Sequence, residues 1–103
     1  MPENSLREKL QKDLDVCNWS MLHSHFVRDI LFVVDSTLDF IETCVRAAEN
    51  DSKVIAEYIE SKQLKRPDGY DVEKWLKEKP LFKCLVISPH VFIQLTDIKL
   101  KKK

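Results

Sequence analysis

The stretch FKCLVISPHVFIQLT, residues 82–96, decides the fold class. It holds two β-rich runs, Phe82 to Ser88 and Val91 to Thr96, with Pro89 and His90 between them. Two such runs joined by a short turn are typical of a β-hairpin. In the second run, apolar side chains alternate with a set that includes more polar ones. This alternation predicts one dry face and one more polar face.

A further strand and several helices are predicted upstream of this hairpin. The segment Ile30-Leu31-Phe32-Val33-Val34 lies between two aspartates and is apolar throughout, which predicts a central strand covered on both sides. The predicted helices occupy residues 5–15, a segment beginning at Asn18 or Ser20, a segment after Asp35-Ser36-Thr37, a segment capped by Asp51, and a short segment capped by Asp71 and ended by Pro80. The sequence therefore predicts an α+β fold, with a small, mostly antiparallel sheet of three to four strands and four or five helices packed on it.

The chain is long enough for one small domain. Of its 103 residues, 44% are hydrophobic and 33% are charged, a composition typical of soluble globular domains. We expect residues 1–98 to form that single domain and residues 99–103 to form a flexible lysine-rich tail. Gly69 is the single glycine, which excludes the glycine-rich phosphate-binding loops. The longest purely apolar run, Ile30 to Val34, is too short to cross a membrane.

Cysteine usage and the amino terminus predict a cytoplasmic protein. Cys17, Cys44 and Cys84 are odd in number and widely spaced, and they include no CxxC pair. We therefore expect reduced thiols, of which only Cys17 is exposed. Residues 1–4 show no apolar segment of the kind found in secretory signals, so none is expected.

Charge is balanced over most of the sequence. Seventeen basic residues match seventeen acidic ones, so no overall field favours nucleic acid or an anionic membrane surface. The exception is the tail, whose lysines are Lys99, Lys101, Lys102 and Lys103. Accessory binding of phosphate or nucleic acid through these lysines is one alternative function. The structural alternative is a frayed, solubilising end.

Several short segments along residues 5–95 form a recognisable set. They are Trp19 with Leu22, His25-Phe26, Leu38-Asp39 with Glu42, Ala47-Ala48-Glu49-Asn50-Asp51, Trp75-Leu76, Pro80-Leu81-Phe82 and the strand pair from Leu85 to Gln94. As a set they resemble a small bacterial family, domain of unknown function 2288. The resemblance implies a compact bacterial cytosolic protein, and it supplies no activity, substrate or catalytic residue.

One candidate ligand or metal site combines a histidine, a thiol and two carboxylates. The candidate residues are His25, Asp39, Glu42 and Cys17. These residue types bind metals or act as acid and base. His23 and His25 lie two positions apart, so on a helix they point away from each other and cannot both bind one ion. Asp35 shares a helix face with Asp39 and Glu42 if it is itself helical, but such carboxylates also simply complement the helix dipole.

The aromatic residues point to an interaction protein. Their number exceeds what one face of a three-stranded sheet needs. The aromatic residues expected at an interface are Trp19, Trp75, Phe82 and Phe92. An exposed terminal strand, Val91 to Thr96, would also allow pairing with a second copy.

No catalytic triad, phosphate cradle or ligand set is present in the sequence, so we predict no cofactor and favour a non-catalytic protein over an enzyme. The predicted function is that of a small bacterial cytosolic interaction protein whose partner is a second copy of itself or an unidentified protein, without membrane contact. The enzymatic alternative is a small ligand- or metal-binding domain that uses His25 and the nearby carboxylates.

Overall fold

The computed structural model of this protein describes residues 2–96. Along that part of the chain the elements are α1 (Pro2–Asp13), β1 (Asp15–Asn18), α2 (Trp19–Val27), β2 (Leu31–Val34), α3 (Phe40–Ala48), α4 (Ser52–Glu60), β3 (Leu64–Lys65), α5 (Gly69–Glu78), β4 (Leu81–Ile87) and β5 (His90–Leu95). The fold is α+β, as predicted. Within the described residues, no helix has the length and apolar character that crossing a membrane requires.

The strands form one sheet in the order β1-β4-β5-β2-β3. The pairs β1–β4, β4–β5 and β2–β3 are antiparallel, whereas β2 and β5 are parallel. The sheet is therefore mixed and has five strands, where the sequence predicted three to four strands and a mostly antiparallel arrangement. The prediction missed β1 and β3 because strands of four and two residues are too short to show an alternating pattern.

The predicted hairpin is confirmed, and its second strand is the middle strand of the sheet. β4 and β5 pair from Phe82 opposite Leu95 to Ile87 opposite His90. β5 also pairs with β2 on its other side, so the prediction that Val91 to Thr96 forms an exposed edge is wrong. β2, predicted to be central, lies one place from the edge, because only the two-residue β3 lies beyond it.

Helices cover both faces of the sheet. α2 and α5 pack on one face, in a core cluster that includes Leu22 and Ile93. α1, α3 and α4 pack on the other face, in a cluster that includes Phe40 and Phe92. Neighbouring residues of β5 contribute to different clusters because successive side chains of a strand point to opposite faces. The face predicted to be more polar is covered as well, and its Gln94 is buried.

Short polar side chains start four of the helices. Asn18, Asp39, Asp51 and Asp68 each accept a backbone N–H in the first turn of α2, α3, α4 and α5, respectively. These caps satisfy N–H groups that have no partner within the helix. The start of α5 differs from the prediction, because the cap is Asp68 and not Asp71. Asp71 lies inside the helix and accepts the backbone N–H of Asp68 in return, at 3.2 Å.

Candidate functional site

The predicted ligand residues lie on opposite faces of the sheet. Cys17 in β1 belongs to the cluster under α2 and α5, and His25 is part of α2. Asp39 and Glu42 lie at the start of α3, which packs on the other face. The sheet separates the two pairs, so the structure does not bring the four residues together. Among residues 6–96, whose side chains the structure describes, no group of three or more His, Cys, Asp or Glu side chains is placed to hold a metal ion.

The carboxylates of α3 have structural partners. The Asp39 side chain accepts the backbone N–H of Glu42 at 2.9 Å and caps the helix. The Glu42 carboxylate forms ion pairs with Arg7 of α1 and with Arg46 one turn further along α3. Glu42 therefore connects two helices that cover the same face of the sheet, and both carboxylates are accounted for by helix capping and packing.

Asp35 lies before α3 and does not share a helix face with the other two carboxylates. Its Oδ2 accepts the hydroxyl of Thr37 at 2.6 Å and the Thr37 backbone N–H at 3.0 Å. These two hydrogen bonds hold the pKa of Asp35 below its ordinary value of 3.8, and the bond from the Thr37 hydroxyl has the larger effect. Asp35 is thus ionised at neutral pH and stabilises a turn, which is the opposite of what a general acid requires.

The two histidines of α2 have different surroundings. His23 is exposed, and its ring lies 6.0 Å from that of Trp19, edge to face. His25 is half-buried, and its Nδ1 is buried without a hydrogen-bond partner within the described part of the chain. As expected for positions two apart on a helix, the side chains do not converge. The histidines therefore form no joint site.

All three thiols are buried, so the prediction that Cys17 is exposed is wrong. The sequence placed Cys17 between two helices, but it lies in β1 with its side chain directed into the core. Burial raises the pKa of Cys44 to about 12. Burial, followed by a hydrogen bond with Cys17, raises the pKa of Cys84 to about 12 as well. A catalytic nucleophile needs an accessible thiolate, so Cys44 and Cys84 are poorly suited to start a reaction at neutral pH.

The four aromatic residues predicted at an interface are buried within the monomer. Trp19, Trp75 and Phe82 pack together on the face covered by α2 and α5. The Trp75 ring centroid lies 5.2 Å from that of Trp19 and 5.0 Å from that of Phe82. Phe92 packs on the opposite face. The prediction counted the aromatics against a single covered face, whereas the sheet has two.

Two of these aromatics nevertheless border a groove on the surface. The groove has a volume of about 430 Å³ and lies between the start of α2, the end of α5 and the start of β4. We call it the tryptophan groove. Its lining residues are Asn18, Trp19, Ser20, Trp75, Leu76, Lys79 and Leu81. It combines a mostly apolar wall with one cation, a composition suited to a partner with an apolar anchor and an acidic group.

A stripe of three exposed residues runs along α5 beside this groove. Glu73 and Leu76 lie three positions apart and share one face of α5, and Lys79 follows as the C-cap residue, in the left-handed conformation at φ 51°. Leu76 is 59% exposed although it is apolar. Within residues 2–96, neither Glu73 nor Lys79 forms an ion pair. Leu76 is exposed while Trp75 beside it is buried, because adjacent helix positions point about 100° apart.

Both edges of the sheet are poorly suited to pairing with another strand. At the β1 edge, the Asp15 side chain accepts the backbone N–H of Val16 at 2.9 Å. At the β3 edge, only Leu64 and Lys65 are paired, and Pro67 follows two residues later. Edge-to-edge association is opposed at β1 by the charged Asp15 side chain, which occupies a backbone N–H, and at β3 by the short strand, its lysine and the nearby proline.

A second cleft, of about 530 Å³, lies at the tip of the β4–β5 hairpin between β2, α3 and α4. Phe32 and Phe92 are among its apolar lining, and His90 stacks on Phe32 with ring centroids 5.1 Å apart. None of the residues predicted for a ligand site lines this cleft. The lysines of the tail, Lys99, Lys101, Lys102 and Lys103, lie outside the described residues, so phosphate binding stays a prediction.

Comparison with known proteins supports the resemblance drawn from the sequence. The chain is similar to the solution NMR structure of PA1075 from Pseudomonas aeruginosa, with 26% identity and a TM-score of 0.78, over 96% of this chain and 92% of that one. No curated protein matches the chain. The model of the family described as "Protein of unknown function (DUF2288)" matches residues 5–95. Because this match spans most of the sequence, the chain belongs to the DUF2288 family.

Proposed function

We propose that this protein is a non-catalytic, cytoplasmic interaction protein that acts as a homodimer, and that its two copies meet along α5 and the tryptophan groove. The observation that carries the proposal is the stripe Glu73–Leu76–Lys79, because it is complementary to itself. A two-fold symmetric interface brings the same surface of both copies together, so it requires a self-complementary surface.

The charges of the stripe satisfy this requirement. With a two-fold axis near Leu76, the two α5 helices run antiparallel. Glu73 of each copy then faces Lys79 of the other, which gives two equivalent ion pairs. Both charged groups lack an ion-pair partner within residues 2–96, so dimer formation would break no ion pair in the monomer. Complementary charges of this kind fix register and partner choice more than they add affinity.

The apolar part of the stripe supplies the affinity. Leu76 is the exposed residue at the centre, and it borders a groove walled by Trp19 and Trp75. An apolar side chain from one copy that enters the groove of the other becomes the buried anchor of the interface. α5 has ten residues, which is about 15 Å of helix. A contact of this length is small, and we expect a dissociation constant on the order of 10 μM.

Sedimentation equilibrium between low and high micromolar concentration tests the proposal. We expect the wild type to change from monomer to dimer in this range. Leu76→Glu places a charge at the centre of the interface and should weaken the dimer by at least about 30-fold. Ile59→Glu is the matched control, because Ile59 is an exposed apolar helix residue on the other side of the sheet. A wild type that stays monomeric throughout, or equal effects of both variants, would contradict the proposal.

Charge reversal tests the geometry. Glu73→Lys and Lys79→Glu should each weaken the dimer, because each places like charges opposite one another. The double variant carrying both changes should regain the affinity of the wild type. An equimolar mixture of the two single variants should form mixed dimers, since one copy is then basic at both positions and the other acidic. If the double variant is as weak as the single ones, the two-fold arrangement is wrong.

A further inference from the structure

Cys17 and Cys84 are neighbours across the pairing of β1 with β4. Cys17 pairs with Phe82, and Cys84 pairs with Asp15, so the two cysteines occupy diagonal positions. Registered partners share a face of the sheet, and both cysteines belong to the cluster covered by α2 and α5. The two side chains are near enough for Cys17 to contribute to the raised pKa of Cys84. The sheet register thus brings together two sulfur atoms that are 67 residues apart in the sequence.

The third cysteine occupies a different place. Cys44 lies in α3, is fully buried and belongs to the cluster on the opposite face of the sheet. The sheet therefore separates it from the pair. Cys17 is 7% and Cys84 is 9% exposed to solvent. Cys17 lies in β1, which is an edge strand paired only with β4. A small oxidant reaches this pair when β1 moves slightly, whereas Cys44 requires a larger opening.

We propose that Cys17 and Cys84 form an oxidative modification site, in which a peroxide converts the two thiols into a reversible disulfide that ties β1 to β4. In the first step the Cys17 thiolate attacks a peroxide oxygen and the O–O bond breaks. With hydrogen peroxide, this gives a sulfenic acid and one water. In the second step Cys84 attacks the sulfenic sulfur, the S–O bond breaks, and a second water leaves. The two sulfurs lose two electrons, and the peroxide gains them.

The roles of the two sulfurs follow from their places in the sheet, because Cys17 lies on the edge strand β1 and Cys84 lies on β4, which is paired on both sides. Burial is the main cause that raises the pKa of Cys84 to about 12, and Cys17 contributes to a lesser extent. Cys84 is therefore a poor first nucleophile. It becomes the resolving thiol once the sulfenic acid has formed beside it. This order predicts that sulfenic acid accumulates on Cys17 when Cys84 is absent, and not the reverse.

The diagonal placement also predicts that the disulfide is reversible. Diagonal neighbours on antiparallel strands have Cα atoms about 7–8 Å apart, whereas disulfides favour about 4.4–6.8 Å. Bridging the pair therefore distorts the local pairing of β1 with β4 and leaves the bond strained. Strained disulfides are reduced more readily than relaxed ones, which is a property of regulatory disulfides. Asn18 and Trp19 follow Cys17 directly, so the bond would also hold the start of α2.

Mass spectrometry of the full chain after treatment with hydrogen peroxide tests this proposal. We expect the wild type to lose the mass of two hydrogens, and a non-reducing peptide map to link Cys17 with Cys84. Dithiothreitol should restore the original mass. Cys44→Ala is the matched control and should form the same link. A link that includes Cys44, links only between copies, or oxidation to sulfinic acid without any link would overturn the proposal.

Dimedone labelling of the single variants tests the order of the steps. Cys84→Ala retains Cys17 and should trap sulfenic acid at least about tenfold faster than Cys17→Ala, which retains Cys84. Circular dichroism establishes whether each variant is folded. If Cys84→Ala or Cys17→Ala is not folded, the proposal is decided by the peptide maps of the wild type and of Cys44→Ala. Equal labelling of two folded variants would overturn the assigned order.

Discussion

The two faces of the sheet are covered in different ways. On one face, α1, α3 and α4 are held together by polar contacts, in which Glu42 joins α1 to α3. The Gln94 side chain donates to the carbonyl oxygens of Asp35 and Leu38, both at 2.9 Å, and so attaches the loop before α3 to the central strand. On the other face, α2 and α5 pack through a cluster of aromatic rings and leave the tryptophan groove between them.

The two faces therefore differ in how well they are suited to binding a partner. On the three-helix face, Glu42, Arg46 and the buried Gln94 are occupied by contacts within the chain. The two-helix face has a buried aromatic base, an open groove and the charged stripe of α5 with no ion-pair partner within residues 2–96. A surface with exposed apolar area and unsatisfied charge is the better candidate for an interface.

The largest effect that we expect comes from the aromatic cluster. Phe82→Ala removes a fully buried side chain and should lower the free energy of unfolding by about 3–5 kcal/mol. Phe92→Ala on the other face should fall in the same range, because both phenylalanines are buried and neither lines the groove. Urea unfolding measures both. A much smaller loss for Phe82→Ala would show that the groove already loosens the two-helix face. Val86→Ala, exposed on the same strand as Phe82, serves as the control.

The next effect concerns the polar contacts of the three-helix face. Gln94→Leu keeps the size of the side chain but leaves two carbonyl oxygens without their donor, and it should lower the free energy of unfolding by about 2 kcal/mol. Gln11→Leu is the control, because Gln11 is exposed in α1. Similar unfolding curves for Gln94→Leu and the wild type would mean that the loop is held by packing alone.

A smaller effect tests the role assigned to Asp39. Asp39→Ala removes the cap of α3 and should lower the free energy of unfolding by about 1 kcal/mol, whereas Asp39→Asn should lose much less, because asparagine caps equally well. Chemical denaturation of both variants measures the difference. Equal losses would indicate that the negative charge itself stabilises the start of α3 through the helix dipole, and they would contradict the assignment of Asp39 as a hydrogen-bonding cap alone.

The smallest effect is a pH dependence at Asp35. Its pKa is lowered in the folded state, so the stability that it contributes is present above about pH 4 and is lost as the pH falls through the lowered pKa. Thr37→Val removes the hydroxyl that is the main cause of this lowering, and stability should then fall less steeply below pH 4. Urea unfolding at several pH values shows the slopes. Thr37→Ser retains the hydroxyl and should follow the wild type; identical slopes in all three proteins would contradict the assignment.

Local features of the chain were predictable from the sequence. The caps Asn18 and Asp51 and the β4–β5 hairpin depend on residues close together along the chain, which is why their patterns can be read directly. The family resemblance along residues 5–95 is confirmed by the match of the family model. The candidate ligand residues were chosen by chemical type, and nothing local in the sequence indicates that a sheet separates His25 from Asp39.

Tertiary structure alone decided the order of the strands and the faces on which the helices pack. β1 and β3 are too short to carry a pattern, and they form because longer strands offer them an edge. The same long-range pairing buries Trp19 and Trp75, exposes Leu76 and places Cys17 beside Cys84. Periodicity along a chain specifies which side chains share a face of one element, but the choice of neighbouring element depends on packing between residues far apart in sequence.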